Sequence, residues 1–151
     1  MNVNGIKSDF QFVGSSIIRL SVSNDFVAFP DSSALDKNID VSYDILETSK
    51  DEDNIWGTID LYIECSVSDC NSNENEANSV CTISLSINGC FIDNPSLDET
   101  TFKKMLSVNG CAALYSIARS FIMSVSSQLS VNCNITLPMI NTFKLVEKSE
   151  G

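Results

Sequence analysis

Apolar and polar residues alternate along much of residues 10–88, and the parity of that alternation predicts strands. Phe10, Phe12, Ile18, Leu20 and Val22 share one parity, and Gly14 with the two serines after it predicts a bulge in this first strand. Pro30, Asp31 and Ser32 bring turn chemistry to the stretch that follows, a loop that nevertheless carries Phe26, Val27, Phe29 and Leu35. Ile39, Val41, Tyr43 and Ile45 then alternate with Asp40, Ser42 and Asp44. After a turn over 47–54, Ile59, Leu61, Ile63, Cys65 and Val67 alternate with Thr58, Asp60, Tyr62, Glu64 and Ser66. A polar stretch separates these from Cys81, Ile83, Leu85 and Ile87, so the last two strands form a hairpin with a long loop, and Gly89 ends the alternation.

A helical period takes over beyond residue 93. Ser96 followed by Glu99 has the spacing of a capping box, Phe102, Met105 and Leu106 continue a short helix, and Asn109-Gly110 is a stop signal. A long helix starts at Cys111, with Leu114, Tyr115, Ala118, Phe121, Ile122, Val125 and Leu129 on one apolar stripe. Leu129, Val131, Cys133, Ile135 and Leu137 alternate as an extended segment up to Pro138, and no element is assigned to the tail. The expected architecture is α+β: a four-stranded antiparallel sheet, then a short helix and one long helix packed on it. One domain over 10–145 lies between flexible ends at 1–9 and 146–151.

The opposite side of the long helix changes the picture. It carries Ser116, Arg119, Ser120, Met123, Ser124, Ser126 and Ser127, where a solvated helix normally shows Lys and Glu in i,i+4 pairs. Small hydroxyls permit a second close contact, so Ser116, Arg119, Ser120, Met123, Ser124 and Ser127 are candidates for a subunit interface. The competing reading is a solvated, serine-rich outer face.

The polar parity of the sheet places Asp40, Asp44, Asp60, Tyr62 and Glu64 together, and between Lys50 and Lys103 every charged residue is acidic. The chain as a whole has a net charge of −11, which disfavours nucleic acid and anionic membranes and favours basic partners. The face is therefore either a solvated antiparallel surface or a docking surface for a basic partner. No apolar run approaches the roughly 18 residues of a membrane span, and no basic-then-apolar leader opens the sequence, so a cytoplasmic protein is expected.

Candidate chemistry is sparse. The chain has six cysteines and no histidine, and no C-x-x-C pair, so reduced core thiols are expected in place of a metal centre. There is no G-x-S-x-G and no phosphate-binding glycine loop, and cysteine without histidine lacks its usual activating base. The expectation is a protein without catalysis or cofactor.

The order of elements, with "LYSIAR" at 114–119, "LPMIN" at 137–141 and "SINGCF" at 86–91, resembles the SecB family of protein-export chaperones. The resemblance spans about residues 10–145. It implies a homotetramer, a dimer of dimers with long helices between two sheets, and apolar grooves that hold unfolded or precursor polypeptides without ATP. With apolar residues in a turn-marked loop, Phe26, Val27, Phe29 and Leu35 are candidates for client contact, as are Met139 and Ile140; the competing reading is that the loop residues plug the edge of the core. Departures are specific. Ser116 stands where the family often has proline. The positions of the family's SecA-docking residues fall near Asn24 and Ala28 and at Thr82 and Ser84, so only weak contact with that motor is expected. A SecB-like protein outside export, such as a toxin–antitoxin-associated one with a single folded partner, is the alternative.

Overall fold

The computed structural model describes residues 7–25, 35–69, 79–129 and 134–149. Four strands, β1 (Gln11–Asn24), β2 (Leu35–Lys50), β3 (Ile55–Asp69) and β4 (Ser79–Asp93), form one antiparallel sheet in the order β1-β4-β3-β2. The β3–β4 hairpin is as the alternation predicted. β1 lies beside β4, so the connection from β1 to β2 passes from one edge of the sheet to the other. At the β2–β3 turn, the Asp51 carboxylate accepts from the amides of Asp53 at 2.9 Å and Asn54 at 2.7 Å, which closes the loop locally.

The two central strands carry the core. Ile59, Leu61, Cys65, Val67 and Ile83 are fully buried, and β2 adds the half-buried Ile39, Val41, Tyr43 and Ile45. A register shift between Ile45 and Glu47 removes Leu46 from that alternation and leaves it 55% exposed. β4 does not end at Gly89. It continues because the glycine admits the helical layer: a Cβ there would lie 2.6 Å from Leu114.

In β1 the expected irregularity is present as a register shift between Phe12 and Gly14. A second shift, between Ile17 and Arg19, reverses the parity, so Ile17 and not Ile18 stands opposite the buried Ile87. Ile18 and Arg19 instead line the outer surface of the sheet. Two bulges in one strand undo a parity reading that assumes one.

The helical layer differs from the sequence expectation at three points. The cap of α1 (Glu99–Met105) is Asp98, whose carboxylate accepts from the Thr101 amide at 2.9 Å and hydroxyl at 2.6 Å; Ser96 lies two residues earlier and donates its amide to the Asn94 side-chain oxygen. The Thr101 hydroxyl, then the amide, hold the Asp98 carboxyl below its usual value. Asn109-Gly110 does not stop the helix: a π turn (Leu106–Gly110) joins α1 to α2 (Cys111–Ser126) in one run, Glu99–Ser126. Gly110 keeps right-handed helical dihedrals and is buried beside Phe91 and Ile59, where even a Cβ would find ordinary contact distances of 3.4 and 3.5 Å. By length and composition alone the joined run would suit a membrane, but its apolar stripe is the one that covers the sheet. The third difference is an unassigned element, α3 (Thr142–Ser149), which buries Thr142 and Val146 and leans on the π turn.

Between α2 and α3, residues 134–141 cross α2 as an extended arm. The Ser126 hydroxyl accepts from the Ile135 amide at 3.0 Å and donates to backbone carbonyls, and the Tyr115 hydroxyl donates to the Pro138 carbonyl at 2.7 Å. Ser126, assigned to the polar side from its spacing, is therefore fully buried, and the arm seats Ile135 and Leu137 in the core. Burial pushes the Cys65 thiol up to about 11 and the Cys111 thiol up to about 12, so both are inert thiols at neutral pH.

Candidate functional site

The outer face of the sheet gathers the acidic residues as their parity required. Pairing sets Asp40 opposite Glu64 and Asp44 opposite Asp60, two like-charge pairs that cost stability. Asp60 is only 9% exposed, and its carboxylate accepts from the Asn88 amide at 2.7 Å and the Tyr62 hydroxyl at 3.2 Å. Desolvation, then the bond to Asp60, then the charges of Asp60 and Asp44 raise the Tyr62 hydroxyl's pKa, which keeps it a donor. Glu64 accepts from Ser84 at 3.2 Å. A cleft of about 540 Å³ opens here, with Arg19 of β1 facing Asp40, Tyr62 and Glu64 across it. Thr82 and Ser84 stand on this same face, opposite Ser66 and Glu64.

The outer side of α2 is smooth. Ser116, Ser120, Met123, Ser124 and Ser127 are exposed together, while Arg119 is half-buried against the arm with its guanidinium 3.0 Å from the Met139 sulfur. Ser116 donates to Ala112, Ser120 to Ser116 and Ser127 to Ser124, all within the helix. These hydroxyl hydrogens are satisfied internally, so the surface presents small side chains and asks little of water.

β1 is an edge strand, with Phe12, Val13, Ile17, Ile18, Leu20 and Val22 all 39–61% exposed. Edge strands of soluble proteins are normally blunted by charge or proline; this one carries only Arg19. The sequence pattern gave Phe12, Ile18, Leu20 and Val22 one parity, but alternation cannot tell whether a helix reaches the edge.

A third surface was not anticipated from the sequence. α1, the π turn and α3 enclose a groove of about 470 Å³ whose apolar wall is Met105, Val108, Phe143 and Val146, with Lys104 and Glu147 at its rim. Part of the signal was present: Val108 is apolar on the side of the run away from the buried Leu106.

Only three of the six candidates for client contact fall among the described residues. Phe26, Val27 and Phe29 lie outside the described residues. Leu35 is half-buried at the start of β2, Ile140 packs on the core, and Met139 is 82% exposed. Among the described residues no group of His, Cys, Asp and Glu has the arrangement of a metal site.

No protein-family model and no curated protein matches the chain by sequence. Among solved structures, the Mycobacterium tuberculosis SecB-like chaperone Rv1957, determined with a ChAD peptide from the HigA1 antitoxin Rv1956, superposes with a TM-score of 0.61 at 13% identity. The match covers 87% of this chain and 91% of that one. Four antiparallel strands in this order, a long helix across them and a short C-terminal helix give the chain a SecB-like fold.

Proposed function

We propose that the chain is an ATP-independent chaperone that holds unfolded or precursor polypeptides in the cytoplasm and works as a homotetramer, a dimer of dimers. The observation that carries this reading is the uncovered apolar surface of a single protomer: β1, the smooth side of α2 and the groove beside α3. An isolated soluble protomer rarely exposes so much. Assembly through β1 and α2 would cover the first two, leaving the groove, the loop with Phe26, Val27 and Phe29, Leu35, and the Met139–Ile140 end of the arm for clients. The fold supports it, because a SecB-like chaperone shares it.

The test is suppression of aggregation. Purified protein in excess over a chemically unfolded client should hold light scattering down without nucleotide, and Phe29→Asp should weaken that activity while circular dichroism stays unchanged. Failure of the native protein to suppress any client tested would overturn the proposal.

A second reading has its own support, since the mycobacterial neighbour was solved with an antitoxin peptide. Here the chain would serve one specific partner. Co-purification from the native host separates the two: many unrelated chains favour the general chaperone, one stoichiometric chain the specific one. With Thr82 and Ser84 where an apolar anchor and a carboxylate would be needed, binding to the host's SecA should be weak and vanish as salt rises. Submicromolar, salt-resistant affinity by calorimetry would refute that part.

A further inference from the structure

The arm over 134–141 buries Ile135 and Leu137, packs Ile140 partly on the core and turns Met139 out to 82% exposure. The Met139 sulfur is not solitary there. The Arg119 guanidinium of α2 donates to it at 3.0 Å, and Arg119 has no ion pair among the described residues. A thioether is a weak acceptor, whereas a guanidinium is a charged fork of five N–H donors, so the contact leaves most of the donor's capacity unused. One chemical change to methionine creates a stronger acceptor at the same place: oxidation to the sulfoxide.

The surroundings favour that change at Met139 over the other described methionines. Met123 is 39% exposed and Met105 is half-buried. Sulfur carries two lone pairs; one meets Arg119, and with the side chain so exposed the other is open to a dissolved oxidant. With hydrogen peroxide, that lone pair forms the S–O bond as the O–O bond breaks. The sulfur is oxidised and the peroxide reduced, and the proton of the transferred hydroxyl passes to the departing one, which leaves as water. The arm survives the change. Its seating uses Ile135, Leu137 and the bonds to Ser126 and Tyr115, none of which involves Met139.

We propose that Met139 is an oxidation site, converted by hydrogen peroxide to a sulfoxide whose oxygen Arg119 then holds, so that the end of the arm is pinned to α2. A charge-assisted N–H···O bond replaces an N–H···S contact, and the side chain becomes polar. The site stands apart from the chaperone reading, but its consequence rests on it: a pinned, polar Met139 offers less apolar contact to a held polypeptide.

The experiment treats the full chain with limiting hydrogen peroxide and follows each methionine by peptide mass spectrometry. Met139 should gain oxygen about twofold faster than Met123, in line with 82% against 39% exposure. Hydrogen exchange of segment 134–141 should then slow by about fivefold in the oxidised chain, the scale of one exposed charged contact. Methionine sulfoxide reductases supplied with a dithiol should reverse both changes. Arg119→Ala should still oxidise but lose the slowing. Met139→Gln, which brings a carbonyl oxygen toward Arg119, should slow exchange without oxidant. Faster oxidation of Met123 or Met105, exchange that is unchanged or quicker after oxidation, or slowing that survives Arg119→Ala overturns the proposal. Suppression of aggregation is read separately, and oxidation should weaken it in the native chain but not in Met139→Leu. If pinning is seen while suppression is unchanged, the oxidation site stands and its consequence for clients falls. If the native protein suppresses no client, the chaperone reading fails and the exchange result alone decides the site.

Discussion

β4 and β1 are hydrogen-bonded neighbours built from the same kinds of residue, and their fates are opposite. Ile83, Leu85, Ile87 and Phe91 are 0–2% exposed, whereas their partners Val22, Leu20, Ile17 and Phe12 are 39–46% exposed. The difference is not one of hydrophobicity. α2 and the π turn lie over β3 and β4, with Gly89 open beneath Leu114, and the layer stops before the edge. Phe10, just before β1, stacks on the buried Phe91 at 5.2 Å between ring centres, and Phe12 meets the same ring at 5.3 Å. Apolar residues in one strand hold the protomer together, and in the next they remain available to another chain.

The largest test of that contrast is truncation on each side of one pair. Leu85→Ala should cost about 2–5 kcal/mol by urea unfolding, since it leaves a cavity beneath the helix. Leu20→Ala in the isolated protomer should cost well under half of that. Equal losses would mean β1 is covered within the protomer.

Charge sharpens the same comparison at the level of the proposed assembly. Ile17→Lys with Leu20→Asp should leave the fold intact and shift the light-scattering mass at micromolar concentration toward that of one protomer. On the helix beside it, Ser120→Glu should have the same effect, because a buried unpaired charge costs about 3–5 kcal/mol. Retention of the oligomer in both variants would exclude this surface as the interface.

The thiols beneath the helical layer report the covered side. Their folded-state pKa values are raised to about 11 for Cys65 and about 12 for Cys111, so the neutral thiols stabilise the fold fully below about pH 9. That contribution is lost as pH climbs through 11 and 12. Cys111→Ala should flatten the alkaline part of the stability profile followed by circular dichroism. A profile identical to that of the native chain would show that Cys111 ionises freely.

The smallest expected effect is on the outer face. Asp44→Asn removes a like-charge pair with Asp60 and should raise stability by about 0.2–1 kcal/mol in urea. A loss instead would show that Asp44 is held by a favourable contact.

Much of the fold was readable because alternation is a local property of the backbone. Strand positions, the inward Ile59–Val67 and Cys81–Ile87 sets, the acidic outer face with Asp60 and Tyr62, and the apolar stripe of α2 follow from side chains pointing to alternate faces or recurring each helical turn. The sequence alone also determined the serine-rich second side of the helix. What it left undecided depended on neighbours far along the chain. Gly110 reads locally as a stop, at a helix cost near 1 kcal/mol, but burial of Leu106, Cys111 and Leu114 on either side of it outweighs that preference and the run continues. α3 has eight residues, too few to be stable alone, and exists as a helix because the π turn offers it a surface. The exposure of β1 and the groove beside α3 were decided only by where the helical layer ends, since the same alternating apolar residues serve equally as core or as open surface until tertiary packing covers one set and not the other.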